Sequence, residues 1–345
     1  MHTPPFYSLN TNLEAAETPT ATAVTGLLRQ LSELSIHLDG ASDVTAFMTF
    51  LGQWASRRFN NIEIRGMEHI RANQSHLFIS NHRDILMDAV LVNHALLSHQ
   101  KGAARAVIGS NLMEETTMAS LMSLAGCLVV PRGEMPLKQK FIQLKQLSQQ
   151  IDQAQQSSHV WIAQREGRTK NGIDQTNPAI LKMLSLAKPK HQPIHDYLTQ
   201  KRLTPVAISY EWDPSDGHKA MENHCRVLAG EYGKVPRTDG IQHLIDSLEA
   251  CSGKVVIEFG QPFKPSSKTE ADQLHLQLDA FIRDKYQLFP SHQVAAMKCS
   301  GKDIPNTMQP TLDQFEQRAS KLPLYVRKKL FELYSNSFYC YQGAF

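Results

Sequence analysis

The chain has 345 residues, 41% of them apolar and 20% charged, with a formal net charge of +3. That composition belongs to a globular protein of one large domain or two ordinary ones, and so small a charge does not mark a nucleic-acid binder. The sequence contains no run of about 18 apolar residues, so no spanning helix is expected, while the five scattered cysteines, without a Cys-x-x-Cys pair, argue against a disulfide framework or a zinc site and fit a reduced, cytoplasmic setting.

Residues 1–20 are polar and lack the basic start and apolar centre of a secretory signal, so they read as a flexible tail. Two amphipathic helices are expected next, at 23–38 (Leu27, Leu28, Leu31, Leu34) and at 42–59 (Phe47, Met48, Leu51, Trp54), separated by Asp39-Gly40. Together they make an N-terminal helical hairpin over 21–59. It either packs on the main domain or lies on a membrane surface, because Trp54 sits close to Arg57-Arg58. From residue 60 apolar runs and amphipathic segments alternate. Strands are expected at 62–65, 77–80, 104–109, 127–130, 160–163, 205–210 and 255–259. Helices are expected at 86–98, 111–123, 137–156, 178–187, 240–250 and 269–287. This is an α/β domain over 60–298, with a mostly parallel central sheet flanked by helices. Residues 188–201 read as a polar excursion. Residues 299–345 read as a linker followed by a helical segment that carries Arg327, Lys328 and Lys329, a solvated face or a contact for anionic lipid.

The stretch that carries chemistry is 80–96. A buried strand ends at Ser80-Asn81, and His82, Asp84 and Asp88 follow. An imidazole takes a proton from a hydroxyl and returns it to a leaving group, best when a carboxylate holds its other nitrogen. Asp88 is the candidate holder. Asp84 suits a helix N-cap, yet competes for the same role. Three further segments bear on this, two of which share one design. The strand before Arg132-Gly133 delivers an arginine at its exit, where open α/β sheets bind ligands and where a fork of N–H donors suits phosphate. The strand before Arg165-Glu166-Gly167-Arg168-Thr169-Lys170 ends in three cations within six residues, an anion cradle with Glu166 as its brace. The strand with Pro205-Val206 is placed to line the sheet beside the histidine.

In this order the four segments resemble the glycerolipid acyltransferase family, which includes glycerol-3-phosphate and 1-acylglycerol-3-phosphate acyltransferases. The matching residues are Asn81-His82 with Asp88, Arg132 after its apolar strand, Glu166-Gly167 with Arg168, and Pro205-Val206, over roughly residues 60–212. Two departures stand out. Five residues rather than the family's four separate His82 from Asp88, which in a continuous helix turns the acid by about 100°, so the loop at Arg83-Asp84 has to absorb one residue. Gln164-Arg165 also stand where the family usually has Phe-Pro.

The resemblance implies that His82 removes the proton from a glycerol hydroxyl, which attacks the thioester of acyl-CoA or of an acyl-carrier protein. No cofactor or metal is implied, and no covalent acyl-enzyme. Backbone amides would hold the oxyanion. Arg132, Arg168 and Lys170, with Arg83, Glu166 and Gly167 beside them, would form the site for the acceptor's phosphate. Leu121, Met122 and Leu124 are candidates for an acyl groove or for ordinary core. The implied acceptor is 1-acylglycerol-3-phosphate, with glycerol-3-phosphate or another lipid precursor as alternatives. The implied setting is the inner face of a membrane, peripherally bound. A non-catalytic phospholipid binder of the same fold is the rival. Nucleic acid is not an expected partner, because aromatic and basic residues do not interleave on a strand. His82-Arg83-Asp84 is not a kinase loop, since Ala89 stands where that loop needs Asn.

Overall fold

Seven apolar runs become strands, in a computed structural model that describes residues 41–114, 116–229 and 241–343. The tail expected at 1–20 and the helix expected at 23–38 lie outside the described residues. The elements run α1 (Ala41–Arg58), β1 (Asn61–Arg65), β2 (Leu77–Ser80), α2 (Met87–Ser98), β3 (Ala104–Gly109), α3 (Thr116–Leu124) and β4 (Leu128–Val130). They continue with α4 (Leu137–Ala154), β5 (His159–Ala163), α5 (Pro178–Leu184), α6 (Ile194–Gln200), β6 (Leu203–Tyr210), α7 (Asp216–Ala229), α8 (Ile241–Ala250) and β7 (Lys254–Phe259). The C-terminal part is helical: α9 (Lys268–Asp272), α10 (Leu274–Lys285), α11 (Pro290–Ser300), α12 (Gln309–Ser320) and α13 (Leu324–Tyr341).

The strands form one sheet in the order β1-β7-β6-β2-β5-β3-β4. β6, β2, β5, β3 and β4 run parallel, whereas β7 pairs antiparallel with β6 and carries β1 alongside it in parallel. The fold is therefore α/β with a mostly parallel sheet flanked by helices. Parallel strands covered on both faces read as unbroken apolar runs, as in β2 and β6, where every residue is buried.

Alternation along the strands feeds two cores. Phe78, Trp161, Val206 and Ile208 pack under α1, α2 and α3. Leu77, Ile79, Val160, Ile162 and Leu203 pack under α4, α5 and α10. A third cluster joins Trp212 and Ala220 to α11, α12 and α13.

Several expectations change here. The apolar side chains of α1 serve the core, with Phe47, Met48, Leu51 and Ala55 buried, and Arg58 lies over the Trp54 ring at 5.1 Å. The helix expected at 269–287 is two helices that meet at Gln273. α6 occupies the excursion expected at 188–201, and α11 runs through the boundary expected at 298/299. On α13, Lys329 pairs with Glu332 at 2.6 Å while Leu330 and Leu333 are buried. Among the described residues no helix is long and apolar enough to cross a membrane.

Candidate active site

Because β2, β4, β5 and β6 are parallel, their C-terminal ends lie along one edge of the sheet; the segments of His82, Arg132 and Arg168 leave from that edge, while Pro205-Val206 lies within β6 in register with Ile79-Ser80. Asn81 fastens the exit of β2 to β6: its amide donates to the Ile208 carbonyl and accepts from the Ile208 N–H, both at 2.9 Å. His82 follows on a loop, not a helix, and its carbonyl accepts from the Thr169 N–H at 2.8 Å. The loop therefore ties the β2 exit to the β5 exit.

The extra residue between His82 and Asp88 disappears into this loop. Helix α2 starts only at Met87. Asp84 Oδ1 accepts from the Leu86 and Met87 amides at 2.9 and 2.8 Å, closing the turn that precedes it. Short acids do this well because helix starts leave N–H groups unpaired. Asp88, in the first turn of α2, then comes back beneath the imidazole, with His82 Nδ1 2.8 Å from its Oδ2.

Asp88 is fully buried and its oxygens are filled by donors. Oδ2 also accepts from the Arg83 and Asp84 amides at 2.7 and 3.0 Å, and Oδ1 accepts from the Tyr210 hydroxyl at 2.8 Å. A carboxylate with this many donors stays where it is put. It can only accept, so His82 Nδ1 carries a proton toward it, and in the neutral ring the lone pair is on Nε2. The ring stands edge-on to Trp161 at 5.9 Å and its side chain keeps 15% exposure. Burial, together with the charges of Asp88 and Asp84, holds the Tyr210 phenol well above its ordinary pKa, so it remains a donor.

Asp84 belongs to a second network behind the loop. Its Oδ2 accepts from Ser215 Oγ at 2.6 Å, and Ser215 Oγ lies 3.0 Å from His243 Nε2. His243 Nδ1 in turn lies 3.1 Å from Arg168 Nη2, which donates to Glu222 at 2.9 Å. Burial pushes the Asp84 carboxyl up, but the bonds from Ser215 and from the Met87 and Leu86 amides outweigh it and hold the carboxyl below its usual value. Asp84 thus holds the loop, while Asp88 holds the ring.

The expected anion cradle is corrected in part. Arg168 is 3% exposed and turned toward Glu222 and His243, because the loop after β5 folds back against α7. Arg83 is 2% exposed and spent on Asp174 at 2.6 Å. Neither guanidinium is open to solvent. Lys170 reaches Glu222 at 2.6 Å and keeps 22% exposure. Arg132 is the partly open arginine of the set, 24% exposed, with Nε 3.6 Å from Glu166. Its guanidinium covers Gly109 so closely that a Cβ there would sit 2.2 Å from Nε. Gly167 takes the left-handed conformation, φ 71°, with open space around it, which suits a turn that brings backbone near a ligand. Leu121 and Met122 are core, 6% and 4% exposed. A cleft of about 740 Å³ opens elsewhere, between α7, α8 and the turn from α12 to α13.

Tyr210, Ser215 and His243 were not found from the sequence. Tyr210 ends the strand that was expected to line the site, so its position was on view without its partner. Ser215 and His243 belong to no motif.

Residues 61–188 match the family model described as Acyltransferase. No curated protein matches the chain. Among solved structures, the crystal structure of the 1-acyl-sn-glycerophosphate (LPA) acyltransferase PlsC from Thermotoga maritima is similar at 13% identity, over 75% of this chain and 89% of that one, with a TM-score of 0.44.

Proposed function

We propose, on the premise that residues 61–188 belong to the acyltransferase family, that the protein moves a fatty acyl group from a thioester donor to the free hydroxyl of 1-acylglycerol-3-phosphate. The observation that carries this reading is the His82–Asp88 contact of 2.8 Å, on a ring whose second nitrogen is left for a reacting hydroxyl. His82 Nε2 takes the proton of the acceptor hydroxyl as its oxygen attacks the thioester carbonyl. The resulting tetrahedral oxyanion collapses with cleavage of the carbon–sulfur bond. The departing thiolate of coenzyme A or of an acyl-carrier protein takes the proton back from Nε2 and leaves as the thiol. Asp88 fixes the tautomer and steadies the imidazolium. Arg132 is the cation we assign to the acceptor's phosphate, and Gly167 lets the β5 loop approach it. A lysophospholipid acceptor and a diacyl product both partition into bilayers, which supports a peripheral seat on a membrane, on the inner face in this reading.

A thiol-detecting assay of purified protein with one acyl-CoA tests the reading. Thiol release is expected only when an acceptor is added, and most strongly with 1-acylglycerol-3-phosphate. Preference for glycerol-3-phosphate would move the protein to the other acceptor class. No release with any acceptor would end the proposal.

The two acids separate in the same assay. Asp88→Asn places an amide N–H against donors, either the Arg83 and Asp84 amides or the Tyr210 hydroxyl. Turnover is expected to fall about 10³-fold. Asp84→Asn keeps an oxygen for the Leu86 and Met87 amides and is expected to lose less than about tenfold. Equal losses would make Asp84 a partner in orienting the ring.

A further inference from the structure

The first turn and a half of α4 projects from the domain. Every residue from 137 to 142 is exposed, and burial begins only near Leu147. Leu137 is 85% exposed, Phe141 54% and Ile142 46%. Large apolar side chains grouped in this way at a protruding end mark a contact surface. They are interleaved with Lys138, Lys140 and Lys145, and no acid occurs in α4 before Asp152. That arrangement works against the helix, since cations near an N-terminus oppose its dipole. A local rule broken without local benefit points to a partner. Lysines and the positive helix end together select a negatively charged one. Three apolar side chains among them select a surface with an apolar layer just beneath its charge.

Topology puts this surface at the reacting edge. α4 follows β4, which runs parallel to β2, so the turn into α4 leaves from the same sheet edge as His82. Three strand steps separate the two exits, roughly 14 Å at about 4.8 Å per step. Arg132, between β4 and α4, reaches across to Glu166 on the loop after β5.

We propose that Leu137, Phe141 and Ile142 of α4 insert into the headgroup region of an anionic bilayer, with Lys138, Lys140 and Lys145 on its phosphates, so that the His82 edge of the sheet faces the membrane. This rests on the acyl-transfer reading for the purpose of the docking, not for the surface itself. A lipid substrate then enters and leaves sideways along the edge without crossing water.

Vesicle sedimentation of the full chain tests it. The wild type is expected to bind vesicles containing phosphatidylglycerol far more tightly than phosphatidylcholine vesicles, and binding should fall with salt. Each lysine replaced by alanine is expected to cost about fivefold and the three together roughly 100-fold. Replacement of Leu137, Phe141 and Ile142 by serine is expected to cost about tenfold or more. Because these side chains are exposed, the melting temperature should not move. His82→Ala is expected to bind like wild type, so that failure of the acyl-transfer reading and failure of the docking are told apart. The proposal is overturned if the wild type does not bind anionic vesicles, or if the α4 variants bind as well as wild type. It is equally overturned if the wild type is a dimer that the serine variant breaks while vesicles stay unbound, since the surface would then belong to a second copy.

Discussion

His82→Ala is expected to lower kcat/KM for acyl transfer by at least about 10³-fold while leaving the fold intact. The activity loss follows from geometry. Nδ1 is committed to Asp88, so in the proposed reaction Nε2 is the base, and alanine removes it. Retention of the fold follows from what surrounds Asp88. Without the imidazole its carboxylate still accepts from the Arg83 and Asp84 amides and from the Tyr210 hydroxyl. A buried charge that keeps three donors is not stranded. His82→Gln makes a stricter test, because its amide can donate to Asp88 in place of Nδ1–H yet cannot act as a base. Both variants should melt within a few degrees of wild type. Turnover near the wild-type rate in either would remove the imidazole from the mechanism, and a collapsed melting transition in both would leave His82 as a structural residue.

The sheet was legible because its strands are buried on both faces. Runs such as Leu77–Ser80 and Leu203–Tyr210 are apolar without interruption, and that signal is local. Helices packed on one face by a narrow stripe were less visible. α7 carries His218, Lys219 and His224 beside its apolar positions, and α11 begins with polar residues, so neither had been expected.

The His–Asp pair shows a second limit. Counting about 100° per residue turned Asp88 away from His82, but the count starts only where the helix starts. Residues 83–86 are held as a loop by Asp84, so the helical count does not apply to them. Side chains whose meaning depends on distant partners were least legible. Tyr210 reaches Asp88 across 122 residues and Ser215 reaches Asp84 across 131. Arginines near a motif suggested phosphate, while the acids that claim them, Asp174 and Glu222, gave no sign in sequence of lying nearby.

Arg83→Ala is expected to destabilise the protein by roughly 3–5 kcal/mol, the usual cost of breaking a buried ion pair from one side. The guanidinium lies 2.6 Å from Asp174 and donates to Ser337 Oγ and the Tyr341 hydroxyl, both at 3.0 Å. It also stacks over Tyr286 at 5.1 Å, whose ring lies flat on Tyr341 at 3.7 Å. Burial would drag its pKa down, but Asp174 more than compensates and holds it well above the ordinary value, so the charge is permanent. One side chain thus pins the end of α13 to the loop that carries His82. Truncation leaves Asp174, 2% exposed, without its cation. For a chain of this size the melting temperature should fall by about 4–7 °C. Asp174→Ala made on top of it should recover part of the loss, since the stranded carboxylate is then gone. The substrate-binding role that the sequence implied makes the opposite forecast: an unchanged melting temperature and a raised KM for the phosphorylated acceptor. Measured below the transition, KM should stay within about twofold of wild type. A large KM change at constant stability would return Arg83 to the acceptor site and require the loop to open when substrate binds.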